Sequence, residues 1–320
     1  MAGEFELIAR HFTRAGRPLR QAALGVGDDC ALFAPLPGMQ LAVSTDMLVE
    51  GRHFLSTVAP ERLGHKALAV NLSDLAACGA APLACTLALA LPRGDEAFVA
   101  GLAKGLFALA DEQGIELVGG DTTAGPLNLC ITVFGQVPVG QALLRSGARA
   151  GDELWVSGRL GDARLALEVF RGRVALAGND FETVRRAMEL PQPRVALGLA
   201  LRGVASSAID LSDGLVGDLG HVLARSGVAA EVELERLPRS AILAAQAPAL
   251  QQECLIAGGD DYELLFTAPE SQHDAVLAAG RTAGVPVTRC GRILAGSGLT
   301  VLDGDGRALA PSWQGFDHFA

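Results

Sequence analysis

The sequence predicts an α/β (α+β) protein made of two consecutive domains. Apolar strands and amphipathic helices alternate along its 320 residues, which is typical of mixed α/β folds. Half of the residues are hydrophobic and 19% are charged, a composition that excludes disordered and collagen-like proteins. The chain is also longer than one hydrophobic core usually allows. We therefore expect two domains, over residues 1–140 and 150–320, joined by the Gly-, Ala- and Arg-bearing segment Pro138–Asp152.

The first half is predicted to contain three helices and several strands. Apolar residues at helical spacing indicate helices over Gly3–His11, Glu61–Ala77 and Ala97–Gln113, the last ending at Gly114. The Gly- and Asp-containing turn at Gly25–Phe33 opens into an apolar strand. Further strands are predicted over Gln40–Ser44, Leu83–Leu91, Glu116–Val118 and Asn128–Val137. Asp46 and Asp121 are each expected just after a strand.

The second half repeats this alternation of strands and helices. Strands are predicted over Glu153–Ser157, Ala208–Asp210, Glu231–Leu234, Leu255–Ala257, Tyr262–Thr267 and Thr288–Ile293. Helices are predicted over Asp162–Phe170, from Arg194 to about Leu201, after Gly214 to Ser226, over Ala241–Ala247 and over Ser271–Ala279, with a polar loop before Arg194. The halves share short matches, such as Gly-Asp-Asp at 27–29 and 259–261. Because Gly and Asp are common in turns, these matches leave a duplicated fold only as an open alternative.

Charge and cysteine usage limit the possible partners and compartment. Lys and Arg number 26 against 36 Asp and Glu, for a net charge of −10, and no basic run occurs. Nucleic-acid binding is therefore disfavoured, because phosphate backbones are bound by clustered Lys and Arg. Leu75–Pro92 is uncharged but contains Gly79 and Pro82, so we interpret it as a turn and a buried strand and expect no membrane partner. Six cysteines without a CxxC pair, and no visible secretory signal, predict a cytoplasmic protein.

Seven aspartates share a distinctive context. Each lies beside Gly, Ser or Thr or within two residues of one, and most follow a short apolar run: Asp28, Asp46, Asp74, Asp121, Asp210, Asp213 and Asp260. A carboxylate at a strand end lies at the rim of a sheet, where ligand crevices form, and small neighbours let a phosphate approach the backbone. Carboxylates are hard oxygen ligands suited to Mg²⁺. The alternative for any single aspartate is an ordinary turn or helix cap.

Standard nucleotide and hydrolase motifs are absent from the sequence. It has no GxxxxGK[ST] loop, GxSxG elbow or HExxH pair, and the Gly25-Val26-Gly27 run lacks the third glycine of a dinucleotide fingerprint. Two basic residues have open alternatives: His53 is a core histidine or a phosphate ligand, and Arg145 is a surface charge or a phosphate ligand. The aromatic C-terminal stretch is docked core or a stacking surface.

These motifs, in their order along the chain, resemble the bacterial thiamine-monophosphate kinase family. The resemblance runs nearly end to end, and each block is weak alone but specific in combination. The matching blocks are Gly3–Ile8, Gly25–Ala31, Ser44–Phe54, Asn71–Ala77, Gly119–Thr123, Asp210–Leu215, Gly258–Leu264 and Gly315–Phe319. The family belongs to the superfamily of aminoimidazole ribonucleotide synthetase and selenophosphate synthetase.

The resemblance implies a fold, a reaction and partners. It implies two α/β domains, a homodimer whose N-terminal sheets form a barrel across the two-fold axis, and ATP with several Mg²⁺ in a cleft between the domains. The implied reaction transfers the γ-phosphoryl group of ATP to thiamine monophosphate, giving thiamine diphosphate and ADP. Since the acceptor is already an ionised phosphate, we expect direct in-line transfer without a strong general base, and Mg²⁺ to offset the charge of two polyanions.

The resemblance also assigns roles to individual positions. The implied metal ligands are Asp28, Ser44, Thr45, Asp46, Asp74, Asp121, Asp210 and Asp213. The implied ATP contacts are Gly120, Arg145 and Ser212, and the implied thiamine monophosphate contacts are His53, Glu263 and Phe316. Ala103 stands where the family often has an aromatic residue near adenine, which puts that contact in question. Alternatives are a selenophosphate synthetase-like enzyme, although Cys30 lacks the expected context, and a catalytically silent nucleotide- or thiamine-phosphate-binding protein.

Overall fold

The computed structural model describes residues 4–14, 19–26 and 30–309. The chain divides into an N-terminal unit, residues 1–75 with 80–140, and a C-terminal unit, residues 76–79 with 141–320. Both units combine helices with sheets, as the α/β prediction requires. The domain limits 1–140 and 150–320 remain a prediction. Within the described ranges, no helix has both the length and the apolar character that crossing a membrane requires.

The N-terminal unit is built on a four-stranded sheet in the order β3-β6-β4-β5. Strand β6 is antiparallel to both β3 and β4, and β4 is parallel to β5. In chain order the elements are α1 (Glu4–Leu7, continued by a π-turn over Ile8–Phe12), β1 (Ala22–Leu24), β2 (Leu32–Phe33), β3 (Met39–Val49), α2 (Pro60–Ala77), β4 (Ala81–Leu91), α3 (Glu96–Gln113), β5 (Glu116–Ala124) and β6 (Asn128–Pro138). Asp95 caps the N-terminus of α3, and Gly114 ends it in the left-handed conformation.

One face of this sheet packs against α2, whereas the other carries exposed apolar side chains. Leu87 and Ile131 lie on the packed face and are buried. On the opposite face of β3, Val43 and Met47 are 55% and 54% exposed. The short β1–β2 pair covers part of that face, where the ring of Phe33 lies 5.2 Å from a sheet phenylalanine. We call this incompletely covered surface the open face.

The C-terminal unit is built on a six-stranded sheet in the order β12-β9-β11-β7-β10-β8. All neighbouring strands are antiparallel except β12 and β9. In chain order the elements are β7 (Glu153–Ser157), α4 (Asp162–Phe170), α5 (Gly178–Glu189), α6 (Val195–Ala200), β8 (Ser207–Asp210), α7 (Leu215–Ser226), β9 (Ala229–Glu233), α8 (Ala241–Ala244), α9 (Pro248–Ala257), β10 (Leu264–Ala268), α10 (His273–Ala283), β11 (Val287–Leu294) and β12 (Gly298–Leu302).

Three neighbouring strands of this second sheet, β7, β10 and β8, are buried on both faces. Every residue of β7, β8 and β10 is buried. One face, which includes Leu154 and Val156, packs into a core shared with α4, α5, α7 and α9. On the other face, Trp155 stacks on Phe266 and its ring lies 5.0 Å from that of His273 in α10. The sheet therefore has helices on both sides.

Several predicted elements are wrong in type or extent. The predicted strand Leu255–Ala257 is the end of helix α9, because a short apolar run looks the same in a buried helix and a buried strand. The predicted polar loop contains helix α5, whose buried Val184 and Met188 are separated by polar residues. Strand β12 was not predicted. The helix expected over Ala241–Ala247 ends at Ala244.

Two strands of the N-terminal unit are longer than predicted, which changes the position of two aspartates. Strand β3 continues to Val49 and strand β5 to Ala124. Asp46 and Asp121 therefore lie within strands and not after them. Each strand runs through its Ser-Thr-Asp or Gly-Asp-Thr sequence because sheet pairing with neighbouring strands offsets the low strand propensity of Asp and Gly.

Candidate functional site

In the N-terminal unit, helix α2 holds the edge strand β3 through a row of polar side chains. The Ser44 hydroxyl donates a hydrogen bond to Oδ2 of Asp74 over 2.5 Å. The backbone N–H of Asp46 donates to Oδ1 of Asn71 over 3.0 Å, and the amide of Asn71 donates back to Ala67 within α2. Three predicted metal-ligand positions, Ser44, Asp46 and Asp74, are thus brought to one strand–helix contact.

Lys66 and Asn71 were not predicted as site residues, yet both support this contact. Asn71 is 1% exposed and Lys66 is 2% exposed, so each polar group is removed from water. Nζ of Lys66 donates to the backbone carbonyl of His53 over 3.2 Å. No local pattern in the sequence signals that Lys66 and Asn71 are buried, because burial of such polar residues depends on the partners that the fold supplies.

His53 lies in the turn that follows β3. Its Nδ1 accepts a hydrogen bond from the backbone N–H of Val49 over 3.0 Å, and its own N–H donates to the carbonyl of Val49. Because Nδ1 accepts here, the neutral ring carries its proton on Nε2. The turn therefore fixes the orientation of the His53 ring through its Nδ1 atom.

The strand register separates Asp121 from Asp46. Across the sheet, Asp46 aligns with Ile131 and Leu87, which are buried on the α2 side, whereas Asp121 aligns with Ala88 on the open face. Side chains alternate between faces along a strand, so these two aspartates lie on opposite faces. Three strand spacings also separate β3 from β5, about 14 Å at the usual distance between strands. Within one copy of the chain, Asp121 does not join the Ser44–Asp74 contact.

Thr45 and Gly120 have clear local roles in the sheet. Thr45 lies on the open face, where its hydroxyl is 2.9 Å from that of Thr132. Gly120 has φ of +149°, and a Cβ there would overlap the carbonyl oxygen of Leu87 on the neighbouring strand. Only glycine fits this position, which leaves the backbone before Asp121 accessible.

In the C-terminal unit, two loops meet at the ends of β8 and β10. Asp210 ends β8 and is 5% exposed, and it pairs with Leu264 of β10. The carbonyl of Ser212 accepts the backbone N–H of Asp260, and the carbonyl of Leu211 accepts that of Tyr262. The Asp-Leu-Ser-Asp-Gly and Gly-Gly-Asp-Asp-Tyr-Glu motifs are therefore joined by their backbones.

The second of these loops has an unusual backbone. Asp260 has φ of +68° and Tyr262 has φ of +49°, and the described residues include no other non-glycine residue with positive φ. Such conformations cost about 1–3 kcal/mol each and concentrate at functional sites. The Tyr262 hydroxyl donates to Oδ1 of Asp260 over 3.1 Å, which helps to hold the loop.

Buried carboxylates shape both loops. Oδ2 of Asp218, in the first turn of α7, accepts the backbone N–H groups of Ser212 and Asp213. Burial and then the charge of Asp213 raise the pKa of Asp218 to about 7, although those N–H groups and Arg145 oppose the shift. Burial likewise raises the pKa of Asp261 well above its usual value, against the N–H of Gly161.

The remaining predicted residues of this unit lie around the same loops. Glu263 is 5% exposed, and its backbone carbonyl accepts the N–H of Leu211. Arg145 lies in the segment beside β8, where the carbonyl of the preceding Leu144 accepts the N–H of Ala208. Asp210, Ser212, Asp213, Arg145 and Glu263 are thus brought into one region of the C-terminal unit.

Three positions considered in the sequence analysis remain: Asp28, Phe316 and Ala103. Asp28 and Phe316 lie outside the described residues. Ala103 is 5% exposed within α3, so its methyl group offers little surface to a base. Within the described ranges, no group of three or more His, Cys, Asp or Glu side chains is arranged to hold a metal ion.

Both units of the chain match domains of known proteins. Residues 27–137 match the family model of the AIR synthase related protein N-terminal domain, and residues 149–304 match that of its C-terminal domain. The chain is 44% identical over 321 residues to the thiamine-monophosphate kinase of Escherichia coli K12, covering 99% of this chain and 98% of that protein. The chain belongs to the thiamine-monophosphate kinase family. The Haemophilus influenzae member is 41% identical over 99% of the chain and 98% of its own length.

Solved structures of the thiamine-monophosphate kinase family have the same fold. The enzyme from Stenotrophomonas maltophilia K279a gives a TM-score of 0.85 at 46% identity, covering 95% of each chain. AaThiL complexed with AMPPCP and TMP gives 0.78 at 30% identity, covering 89% of each chain. The hydrogenase maturation protein HypE in complex with ATP is similar in fold alone, with a TM-score of 0.78 at 21% identity, over 97% of this chain and 95% of that one. The α/β fold prediction and the resemblance are both confirmed.

Proposed function

We propose that this chain transfers the γ-phosphoryl group of ATP to thiamine monophosphate, giving thiamine diphosphate and ADP. The observation that carries the proposal is 44% identity to a thiamine-monophosphate kinase along nearly the whole of both chains. The family member AaThiL has been crystallised with AMPPCP and TMP together, which supports a site that accepts a nucleotide and a second ligand at once. The chain is therefore a kinase of thiamine diphosphate biosynthesis.

Magnesium is the cofactor that best suits the donor atoms. Ser44 Oγ is hydrogen-bonded to Asp74 Oδ2 over 2.5 Å, and hydroxyl and carboxylate oxygens are the hard ligands that Mg²⁺ prefers. We assign Ser44, Asp46 and Asp74 to the metal shell of the N-terminal unit, and Asp210 and Asp213 to that of the C-terminal unit. We keep Asp28, Thr45 and Asp121 as further ligands. Bound Mg²⁺ would neutralise phosphate charge and align the two reactants.

The residues of the chain contribute binding and orientation. We assign His53 to the acceptor phosphate, since the backbone of Val49 fixes the orientation of its ring. We assign the exposed backbone at Gly120, the Ser212 turn and Arg145 as donors for ATP phosphates, and we assign to Arg145 the role of offsetting charge on the transferred group. Glu263 and Phe316 hold thiamine monophosphate. No general base is needed, because the attacking oxygen belongs to an ionised phosphate.

A homodimer would complete both the sheet and the metal shell. The open face exposes apolar side chains that a second N-terminal sheet would cover, closing a barrel. The edge strands β3 and β5 carry Asp46 and Asp121, which are about 14 Å apart within one copy. A second copy that sets its β5 beside β3 would bring the strands that carry Asp46 and Asp121 next to each other, with Asp46 on the α2 face and Asp121 on the open face. We therefore infer that Asp121 serves the site of the other subunit.

The cytoplasm is the proposed compartment, and neither nucleic acid nor membrane is a proposed partner. All six cysteines are free thiols, and three of them, Cys85, Cys254 and Cys290, are buried. Burial raises the pKa of each of these three to about 12, so they stay protonated and unreactive. Free thiols without a disulfide framework are typical of reducing compartments.

The test of the reaction is incubation with ATP, Mg²⁺ and thiamine monophosphate, followed by separation of products. Thiamine diphosphate and ADP should form in equal amounts, and excess EDTA should stop turnover. Free thiamine should be a poor acceptor, because it lacks the ionised phosphate that attacks. Phosphorylation of thiamine as fast as of its monophosphate would contradict the substrate assignment, and turnover in EDTA would contradict the metal assignment.

The shared site is tested with two variants that are each expected to lose turnover and keep the fold, Asp46→Asn and Asp121→Asn. If Asp121 acts across the dimer, mixing the two variants and allowing subunits to exchange creates one intact site per mixed dimer. Turnover should then reappear on mixing. No recovery, with subunit exchange confirmed by differently tagged chains, would place both aspartates in the same subunit.

A further inference from the structure

The carboxylate of Glu263 accepts hydrogen bonds from two side chains that were not predicted as site residues, those of Arg194 and Ser157. Nε of Arg194 donates to Oε2 over 2.6 Å, and Nη2 of Arg194 donates to Oε1 over 2.5 Å. The Ser157 hydroxyl donates to Oε2 over 2.5 Å, and Ser157 in turn accepts the backbone N–H of Leu264. The guanidinium therefore binds the carboxylate through two parallel hydrogen bonds. This bidentate geometry makes arginine–carboxylate pairs strong and directional.

The chain around this pair is built for one fixed arrangement. The Glu263 side chain is 6% exposed and that of Arg194 is 22% exposed. Arg194 follows Pro191-Gln192-Pro193, and proline restricts both its own backbone and that of the residue before it. Burial opposes the charge of Arg194, but the hydrogen bonds to Glu263 and its negative charge outweigh burial and hold the pKa of Arg194 above its ordinary value.

The Glu263 carboxylate has one hydrogen-bond acceptor position left. A carboxylate offers about four lone-pair positions, and Arg194 and Ser157 occupy three of them. The fourth is on Oε1. A Cβ at Gly158 would overlap that oxygen and the rest of the carboxylate, so the Glu263 carboxylate packs directly against the Gly158 backbone. Gly158 also has φ of +57°, a conformation in which a side chain is strained.

We propose that Arg194 is a positioning residue for thiamine monophosphate, which holds the Glu263 carboxylate in the orientation in which Oε1 accepts a hydrogen bond from the substrate. This inference rests on the proposed function, in which Glu263 contacts that substrate. The aminopyrimidine ring of thiamine monophosphate supplies an N–H donor of the required kind. Arg194 does not touch the substrate and acts only through Glu263.

The test compares two buried arginine–glutamate pairs of the same unit. Arg185 and Glu189 in α5 have side-chain exposures of 23% and 4%, and their Nε–Oε1 distance is 2.9 Å, so Arg185→Gln is a matched control for Arg194→Gln. We measure thiamine monophosphate binding by calorimetry, KM and kcat for each substrate, and the thermal unfolding midpoint. Hydrogen bonds to a charged group are worth about 10- to 100-fold in affinity, so Arg194→Gln should raise Kd and KM for thiamine monophosphate at least about tenfold.

The expected pattern separates positioning from general stability. Both glutamine variants should lower the unfolding midpoint, but Arg194→Gln alone should change thiamine monophosphate binding, with KM for ATP within about twofold of normal. Arg194→Lys keeps the positive charge but loses the pair of guanidinium donors that bind Glu263. Its affinity for thiamine monophosphate should therefore lie between those of Arg194→Gln and the wild type. In a double-mutant cycle, Arg194→Gln should add little once Glu263 is Gln, because the two residues act as one group.

Two results would overturn the inference. One is an Arg194→Gln variant that unfolds more easily but binds thiamine monophosphate normally; the other is additive losses in the double-mutant cycle. If Arg194→Gln does not fold, Gly158→Ala disturbs Oε1 from the opposite side and should raise KM for thiamine monophosphate selectively, and a normal KM there counts against the inference. A wild-type protein that neither binds nor phosphorylates thiamine monophosphate would instead refute the proposed function, and the inference with it.

Discussion

The four-stranded N-terminal sheet has an open face with exposed apolar side chains. In the six-stranded C-terminal sheet, by contrast, strands β7 and β10 are buried on both faces. Among the described residues, the exposed large hydrophobic side chains lie almost entirely in the N-terminal unit, with Leu144 as the one exception. A sheet covered on both faces is complete within one chain. A sheet with an open apolar face gains from a second chain.

The two regions also hold their candidate site residues by different means. In the N-terminal unit, a hydrogen bond from the Ser44 hydroxyl to Asp74 and one from the Asp46 N–H to Asn71 tie β3 to α2. In the C-terminal unit, the buried ion pair Arg194–Glu263 holds one candidate site residue. Residues with positive φ hold the 258–262 loop in its conformation. The first arrangement depends on helix packing, and the second depends on each charge keeping its partner.

The largest expected effect comes from a charge on the open face. Val43→Lys would place two ammonium groups against apolar surface in a dimer, so the dissociation constant should rise at least about 1,000-fold, equivalent to about 4 kcal/mol. Sedimentation velocity measures the change. Ala245→Lys, at an exposed position of the C-terminal unit, is the control and should leave the dimer intact. A dimer that survives Val43→Lys would mean that the open face is not the interface.

The next effect concerns how closely the two long helices pack. A Cβ at Gly105 of α3 would overlap the backbone carbonyl of Glu61 in α2. Gly105→Ala should therefore force the helices apart and cost about 3 kcal/mol of unfolding free energy, as overpacking does. Urea titration followed by circular dichroism gives the value. A loss under about 0.5 kcal/mol would show that the helices separate easily.

A smaller loss is expected at the amide that supports the edge strand. Asn71→Ala leaves the Asp46 N–H without its partner, and such a group costs about 1–3 kcal/mol when buried. Urea titration should also show that Asn128→Ala, whose side chain only reaches a nearby turn carbonyl, stays within about 0.5 kcal/mol of the wild type. Equal values for the two variants would remove Asn71 from the support of β3.

The smallest effect has the opposite sign and lies in the C-terminal unit. Gly220 is in the middle of α7, and nothing lies within 4 Å of a Cβ placed on it. Gly220→Ala should stabilise the protein by about 0.5–1 kcal/mol, because glycine gives up more backbone freedom than alanine in a helix. The same titration that reports a loss for Gly105→Ala should report this gain. A loss at Gly220 would mean that the side of α7 that carries Gly220 packs closely against another group.

Local patterns were enough to predict elements that contain a clear period and a clear end. Strand Glu153–Ser157 and helix Asp162–Phe170 have the predicted bounds, and α3 ends at Gly114 as expected. The apolar run in α9 was assigned wrongly because neighbouring chain segments, not local sequence, decide whether such a run is a helix or a strand. The motif order along the chain predicted the family.

The candidate site was only partly accessible to the same reasoning. Aspartates beside small residues were recognisable, since that context is local. Lys66, Asn71 and Arg194 were not, because their significance comes from the residues they meet, which for Arg194 is a partner 69 positions away. The separation of Asp46 from Asp121 likewise follows from strand order, which no local pattern encodes.

The sequence by itself determined the α/β class, the family and the acidic, phosphate-oriented chemistry, because composition, periodicity and motif order are properties of the chain. Tertiary structure alone decided which carboxylates meet, which sheet face stays open and which arginine holds Glu263. Those features depend on strand order and helix packing, which bring together residues far apart in sequence.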